Sequence, residues 1–167
     1  MIYTAHYISP VGKLLLAAGD DKLIGLWMEN QKYFPSSIQW PENESPGHSV
    51  LAQTRDWLDR YFAGQKPSPR ELNLAPEGSD FRRAVWDILC EIPYGQTRSY
   101  RDISRELAVK LGREHMSAQA VGGAVGHNPI GIIIPCHRVL GSDGSLTGYA
   151  GGLEKKRWLL RHEGLDT

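Results

Sequence analysis

Cysteine is scarce in this chain of 167 residues, where only Cys90 and Cys136 are present. Two thiols so far apart build no disulfide framework, and such sparing use fits a reducing, cytoplasmic compartment. The six histidines do not combine with them at zinc-site spacing, so no structural metal is expected and nothing asks for a cofactor. Long apolar runs are missing too: none approaches the ~20 residues of a membrane-crossing helix. The N-terminus MIYTAHYISP lacks the basic-then-apolar layout of a signal peptide. There is no low-complexity tract and no repeat of fixed period. Net charge is zero, with 19 basic and 19 acidic side chains, which removes any global electrostatic argument for a nucleic-acid partner. A weak asymmetry remains: residues 1–79 carry 7 basic and 9 acidic groups (−2), and residues 80–167 carry 12 and 10 (+2). The clusters Arg98, Arg101, Arg105 and Lys155, Lys156, Arg157 read either as local phosphate contacts or as solvated helix faces.

What is present changes character along the chain. IYTAHYI, LLLAAG and KLIGLWME are short β-prone runs separated by the turn signals SPVG and GDD. Residues 30–47 read as a loop. Val50, Leu51, Trp57, Leu58, Tyr61 and Phe62 recur at helical spacing from Ser49 to Phe62, with Ala63-Gly64 closing the element. The stretch GQKPSPRELNLAPEGS, with its prolines and glycines, is the predicted boundary, giving domains 1–75 and 76–167. Beyond it helices dominate. Asp80 caps a predicted helix whose Phe81, Ala84, Val85, Ile88 and Leu89 share a face. Ser99 with Asp102 forms a capping box opening a second, which stops at Gly112, and Ser117 caps a short third, AQAVGGAVG. IGIII, 130–134, reads as a buried strand, and Leu153 to His162 as a last helix closed by Gly164. The predicted class is α+β: a small sheet-plus-helix domain, then a helix-turn-helix with a wing.

Two features carry chemistry. In IIIPCHRVLG, Pro135 ends regular pairing just before Cys136 and His137. A thiol beside an imidazole is either an inert buried cysteine or a nucleophile whose pKa the histidine lowers. In an extended strand the two would point to opposite faces, so a turn or a bridging water has to connect them, and Glu163 in RHEG is a candidate to orient the imidazole. The third helix is uncharged from Ser117 to Gly126 and carries Gly122 and Gly123 at its centre, where each costs about 1 kcal/mol. Only Gln119 suits base-edge readout. The glycines either let another helix pack closely or make the helix thin enough for a minor groove.

The run NPIGIIIPCHRVLGSDGSLTGYAGG, with WLLRHEG after it, closely resembles the O6-alkylguanine-DNA alkyltransferases, from Phe81 to Gly164. The order of strands then helix before Phe81 agrees with that family's small ribonuclease-H-like domain. The resemblance implies single-turnover repair of O6-alkylguanine, and of O4-alkylthymine, in double-stranded DNA approached from the minor groove. Cys136 would be the alkyl acceptor, His137 would act on it through a water, and Glu163 would hold the histidine. Asn128 would brace the site and Tyr100 would protonate the leaving guanine. Backbone groups at Cys136, Val139 and Ala150 would bind the base, with Tyr149 and the Gly151-Gly152 turn walling the pocket. Ser99, Arg101, Gln119, Ala120, Gly122 and Gly123 would meet the DNA. The resemblance further implies no cofactor, a monomer with cooperative assembly on DNA left open, and a cytoplasmic location, at the nucleoid in a bacterium or archaeon. It departs at one place: Gln119 stands where most relatives carry the arginine that fills the space of the flipped base. The competing expectations are a non-transferring alkyl-lesion binding protein, which would lack the acceptor cysteine, and a cysteine hydrolase built on Cys136, His137 and Glu163.

Overall fold

The computed structural model describes residues 1–36 and 38–167. The chain folds as two units, Met1–Glu77 with Pro129–Gly131, and Gly78–Asn128 with Ile132–Thr167. In the first, β1 (Tyr3–Ser9), β2 (Gly12–Ala18) and β3 (Leu23–Met28) form an antiparallel meander in the order β1-β2-β3. Ser9 closes the first turn: its Oγ donates to Gly12 O (2.7 Å) and accepts from Val11 N (3.1 Å), and Gly12 takes a φ of 105°. The register sets Leu16 between Ala5 and Leu26, and Leu14 between Tyr7 and Met28, on one face. Helix α1 (Ser49–Phe62) covers that face, with Tyr7 donating to Asp59 Oδ1 (2.7 Å) and stacking on Phe62. Leu14, Leu16, Leu26, Leu51, Trp57, Leu58 and Tyr61 are each at most 1 % exposed. A fully buried side chain of this kind contributes about 1.5–3 kcal/mol.

The opposite face is aromatic. The Trp27 ring lies flat over Gly25, so close that a Cβ there would meet ring carbons at 1.9–2.5 Å. Phe34 and Trp40 set their rings edge-on to it, at 5.4 and 5.6 Å between centroids. Pro129–Gly131 belong to this unit, where Leu26 N donates to Pro129 O (2.9 Å) and Gly131 N to Leu26 O (3.1 Å).

The second unit is helical. α2 (Asp80–Leu89), α3 (Tyr100–Lys110) and α4 (Ala118–Gly126) pack on one another around Val85, Ile88, Leu89, Ile103, Leu107, Val121 and Ala124. Trp86 Nε1 donates to Ala124 O (2.8 Å), tying α2 to α4. The Ser99–Asp102 capping box forms in both directions, each bond 3.0 Å. Ser117 caps α4, and Gly112 and Gly164 take the left-handed conformations expected of helix ends. Two short strands, β4 (Arg98–Ser99) and β5 (Val139–Leu140), pair in parallel, and α5 (Leu153–His162) closes the unit.

Two expectations need correction, and one of two alternatives falls. The cap of α2 is Ser79, not Asp80: its hydroxyl accepts from Arg82 N (3.2 Å), and Asp80 is the first helical residue. IGIII is no strand. Only Ile130 pairs, as an isolated bridge with Leu26, and Ile132 turns the chain with a φ of 66°. Burial explains the run of isoleucines, because Ile130 and Ile132–Ile134 are all at most 1 % exposed without belonging to a sheet. The glycines of α4 do not serve close helix packing, since an added Cβ on Gly122 or Gly123 would meet nothing within 4 Å.

Gly25→Ala tests the aromatic face. The added methyl has no room unless the Trp27 ring moves, so the variant should lose about 1–3 kcal/mol in denaturant unfolding, with altered tryptophan fluorescence in the folded state.

Candidate active site

Pro129 to Pro135 deliver the chain to a 3₁₀ turn, Cys136–Arg138, instead of a strand end. The backbone of that turn is therefore not the extended strand in which the two side chains would have to oppose each other. All three of its residues are buried, Cys136 8 % exposed and His137 not at all. Asn128 Nδ2 donates to Ile134 O (2.8 Å), which pins the loop just before the turn. Asn128 and Tyr149 also hydrogen-bond the Cys136 thiol. Burial pushes the thiol pKa up, and the Asn128 amide, the Lys156 charge and the Tyr149 hydroxyl pull against that rise. The resting sulfur is therefore a thiol.

Glu163 is the hub of the site. Its carboxylate, fully buried, accepts from His137 Nε2 (2.6 Å), Arg138 Nε (2.8 Å) and Nη2 (3.1 Å), and Gly95 N (3.0 Å). Burial alone would raise its pKa. The bonds and charges of His137 and Arg138 outweigh that and hold it well below the usual carboxylate range. Since this carboxylate is ionised, the proton of neutral His137 sits on Nε2, and Nδ1 keeps its lone pair. Nδ1 is buried with no hydrogen-bond partner among the described residues. The His137 pKa is depressed, by burial first, against the pull of Glu163 and with the help of Arg138 and Lys156.

Two residues that sequence reasoning missed shape this centre. Arg138 also donates from Nη1 to Ile92 O (2.7 Å) and lies 5.8 Å from the Tyr94 ring centroid. Lys156, read as part of a basic surface cluster, is instead fully buried. Its Nζ donates to Val139 O (2.6 Å), Thr147 O (2.9 Å) and Gly148 O (3.5 Å), and burial lowers its pKa to about 8 against the pull of Cys136. The signal was its spacing: Lys156 lies on the stripe of Leu159, Leu160 and Glu163, the inward face of α5. Arg138 had a weaker signal, a cation inside an otherwise apolar run.

The remaining expected residues divide. Tyr100 OH donates to Thr147 O (3.2 Å) and Gly148 O (3.5 Å), and burial raises its pKa, so it holds its proton. Tyr149 is pushed further up, by burial and then by the charges of Cys136 and Glu163. Val139 is buried with its carbonyl on Lys156, leaving the second lone pair of that oxygen for another donor. Ala150 and Gly151 are half-buried in the turn closed by Gly152 N to Tyr149 O (2.9 Å). Ser99 spends its hydroxyl on the α3 cap. Arg101 lines a concavity of about 430 Å³ with Tyr100, Ser104, Arg105, His115 and Ala118. Gln119, Ala120, Gly122 and Gly123 sit on α4, with Gln119, Ala120 and Gly123 exposed. Arg98 is paired with Glu106 (2.8 Å). Among the described residues no group of histidine, cysteine and acidic side chains is arranged to hold a metal, and no helix is long and apolar enough to cross a membrane.

The sequence matches two family profiles: the DNA binding domain of 6-O-methylguanine DNA methyltransferase over residues 80–165, and its ribonuclease-like domain over residues 2–76. A methylated-DNA–protein-cysteine methyltransferase from Methanosarcina barkeri is 46% identical, over 93% of this chain and 92% of its own length. A protein of the same name from Haemophilus influenzae is 41% identical, over 97% and 86%. Among solved structures, Mycobacterium tuberculosis OGT in complex with DNA is similar with a TM-score of 0.82 and 43% identity, over 98% of this chain and 92% of that one. With matches of this extent spanning both units, the chain belongs to the methylated-DNA–protein-cysteine methyltransferase family.

Proposed function

We propose that this chain repairs alkylated DNA by direct reversal, moving the alkyl group of O6-alkylguanine onto Cys136 once per molecule. The observation that carries this is a buried thiol held by Asn128 and Tyr149 beside a histidine whose one ring nitrogen is bound to Glu163 and whose other is free to take a proton. Residues 76–167 act as the DNA-binding and alkyl-acceptor domain and residues 1–75 as the ribonuclease-like domain. DNA binds as a duplex from the minor groove, against the smooth uncharged face of α4, in a cytoplasmic protein.

The reacting oxygen lies within the base stack, so the nucleotide swings out into the pocket, which costs a few kcal/mol of unstacking. Carbonyls of Cys136 and Val139 and the turn around Ala150 take the base edges, with Tyr149 and Gly151 beside them. As sulfur attacks the alkyl carbon, the thiol proton passes through a water to His137 Nδ1, and Glu163 stabilises the imidazolium that forms. The carbon–oxygen bond breaks with its electron pair on guanine, and Tyr100, poised as a donor, gives that base its hydrogen bond or proton. The product is a thioether with no acyl carbon for water to attack, so the protein is consumed. The same pocket would accept O4-alkylthymine. A hydrolase reading has no comparable support.

Mixing the protein with an O6-methylguanine duplex should add one methyl to Cys136 and no more, read by intact mass and peptide mapping. Cys136→Ser should bind DNA and transfer nothing; sustained turnover or label on Cys90 would sink the proposal.

Glu163→Gln should slow transfer by roughly ten- to hundredfold and raise the apparent thiol pKa, because the imidazolium loses its counter-charge. The depressed Glu163 pKa also has a stability sign. Its contribution is complete above the ordinary value of 4.5 and is lost as pH falls through the folded value. Unfolding free energy should therefore fall less steeply in Glu163→Gln than in wild type as pH drops below 4.5, and identical slopes in that window would contradict the buried ion pair.

Gln119 is shorter than arginine and uncharged; it can bond the orphaned base but offers no guanidinium plane to stack. Gln119→Arg should speed transfer from duplex DNA by roughly tenfold at low salt, equivalent to ~1.4 kcal/mol, and by less as salt rises. Reaction with free O6-alkylguanine base should be unchanged. Equal duplex rates at low salt would place Gln119 outside the base stack.

A further inference from the structure

The buried charges of the site do not balance around the histidine in the way a simple acid–histidine pair would. One carboxylate, Glu163, faces His137, and Arg138 occupies both of its oxygens, with Nε on Oε1 (2.8 Å) and Nη2 on Oε2 (3.1 Å). The oxygen that His137 uses, Oε2, is thus shared with a permanent cation. Arg138 is itself fixed, by Ile92 O at 2.7 Å and by the Tyr94 ring. A second cation, Lys156 on α5, acts on His137 from the Val139–Gly148 side. The groups around His137 are therefore Glu163 and Lys156 from α5, Arg138 and Cys136 from its own turn, and, near those, Tyr94, Tyr100 and Tyr149, all holding their protons. A protonated His137 would be a third positive charge beside one carboxylate that is already neutralised.

We propose that Arg138 is a positioning residue that keeps His137 a neutral imidazole at rest, proton on Nε2 and lone pair on Nδ1, by holding the carboxylate the histidine depends on. The consequence is restraint. A resting imidazolium would stand opposite a standing thiolate, and a protein used once would lose Cys136 to any small electrophile. With Arg138 in place the proton stays on sulfur until a bound base makes the transfer of both proton and alkyl group productive. The direction of the His137 and Cys136 shifts agrees with this, though the charge count and the bond geometry carry it. The inference rests on the alkyl-transfer reading for its purpose, but its tests need no DNA.

The ring nitrogens of His137, read by ¹⁵N NMR in the wild-type protein near neutral pH, should show the Nε2–H tautomer of a neutral ring. An imidazolium, or the Nδ1–H tautomer, overturns the proposal. In Arg138→Met, which removes the charge at similar bulk, the His137 midpoint should rise by about one unit. Iodoacetamide should then label Cys136 roughly tenfold faster near neutral pH, since each unit multiplies the ion-pair population tenfold. Arg138→Lys keeps the charge while losing the fork, and should hold the midpoint and the labelling rate near wild type. An unchanged midpoint in Arg138→Met, or Arg138→Lys behaving like Arg138→Met, defeats the assignment. If Arg138→Met does not fold, the wild-type tautomer and Arg138→Lys still decide. Failure of alkyl transfer with these outcomes intact would remove the function and leave the role of Arg138 standing.

Discussion

The second unit is organised around a single buried negative charge. The Glu163 carboxylate sits at the C-terminal end of α5 and gathers the 3₁₀ turn, through His137 and Arg138, and the segment after α2, through Gly95 N. A lone ionised carboxylate inside a protein is costly, and each donor here is what makes its burial tolerable. The constraint runs both ways. Pieces of chain far apart in sequence meet at Glu163 because each supplies a donor, and the reactive thiol stands where it does because its turn carries two of them.

Lys156 works on the other side of the pocket in the same manner. An ammonium group has three donors and a strong need for acceptors once it is out of water. It finds them in the carbonyls of Val139, Thr147 and Gly148, and so holds in place the backbone that the proposed reading assigns to the base. Tyr100 leans on two of the same carbonyls. A loop rich in glycine and small residues is thereby fixed by one buried cation and one phenol instead of by a sheet.

Much of this was legible in the sequence where a local rule decided the outcome. The strands, the capping box at Ser99 and Asp102, the cap at Ser117 and the glycine stops follow from short-range chemistry, and the structure has them. IGIII misled because a continuous apolar run records burial and not the conformation that achieves it. Lys156 misled because a basic triplet looks like surface until its helical phase is counted against Leu159 and Leu160. Arg138 could be seen but not interpreted: its partners Ile92 and Tyr94 lie far along the chain, and no periodicity links them to the turn. The pairing of His137 with Glu163 was within reach only because the chemistry of an imidazole asks for an acceptor.

The charge count of the pocket bears on why such a site should exist at all. At rest Glu163 is negative, Arg138 and Lys156 are positive, and Cys136 and His137 are neutral, so the buried cluster carries one uncompensated positive charge. On the proposed reading, negative charge grows on sulfur during attack, and the proton it gives up stays within the site on His137, next to Glu163. The net positive charge thus favours the negative charge that grows on sulfur during attack, while the same cations disfavour a standing imidazolium until a base is bound. Alkylation returns the sulfur to neutrality and removes its proton for good. The field that favoured the thiolate then has nothing left to act on, which is the electrostatic side of a reaction that runs once.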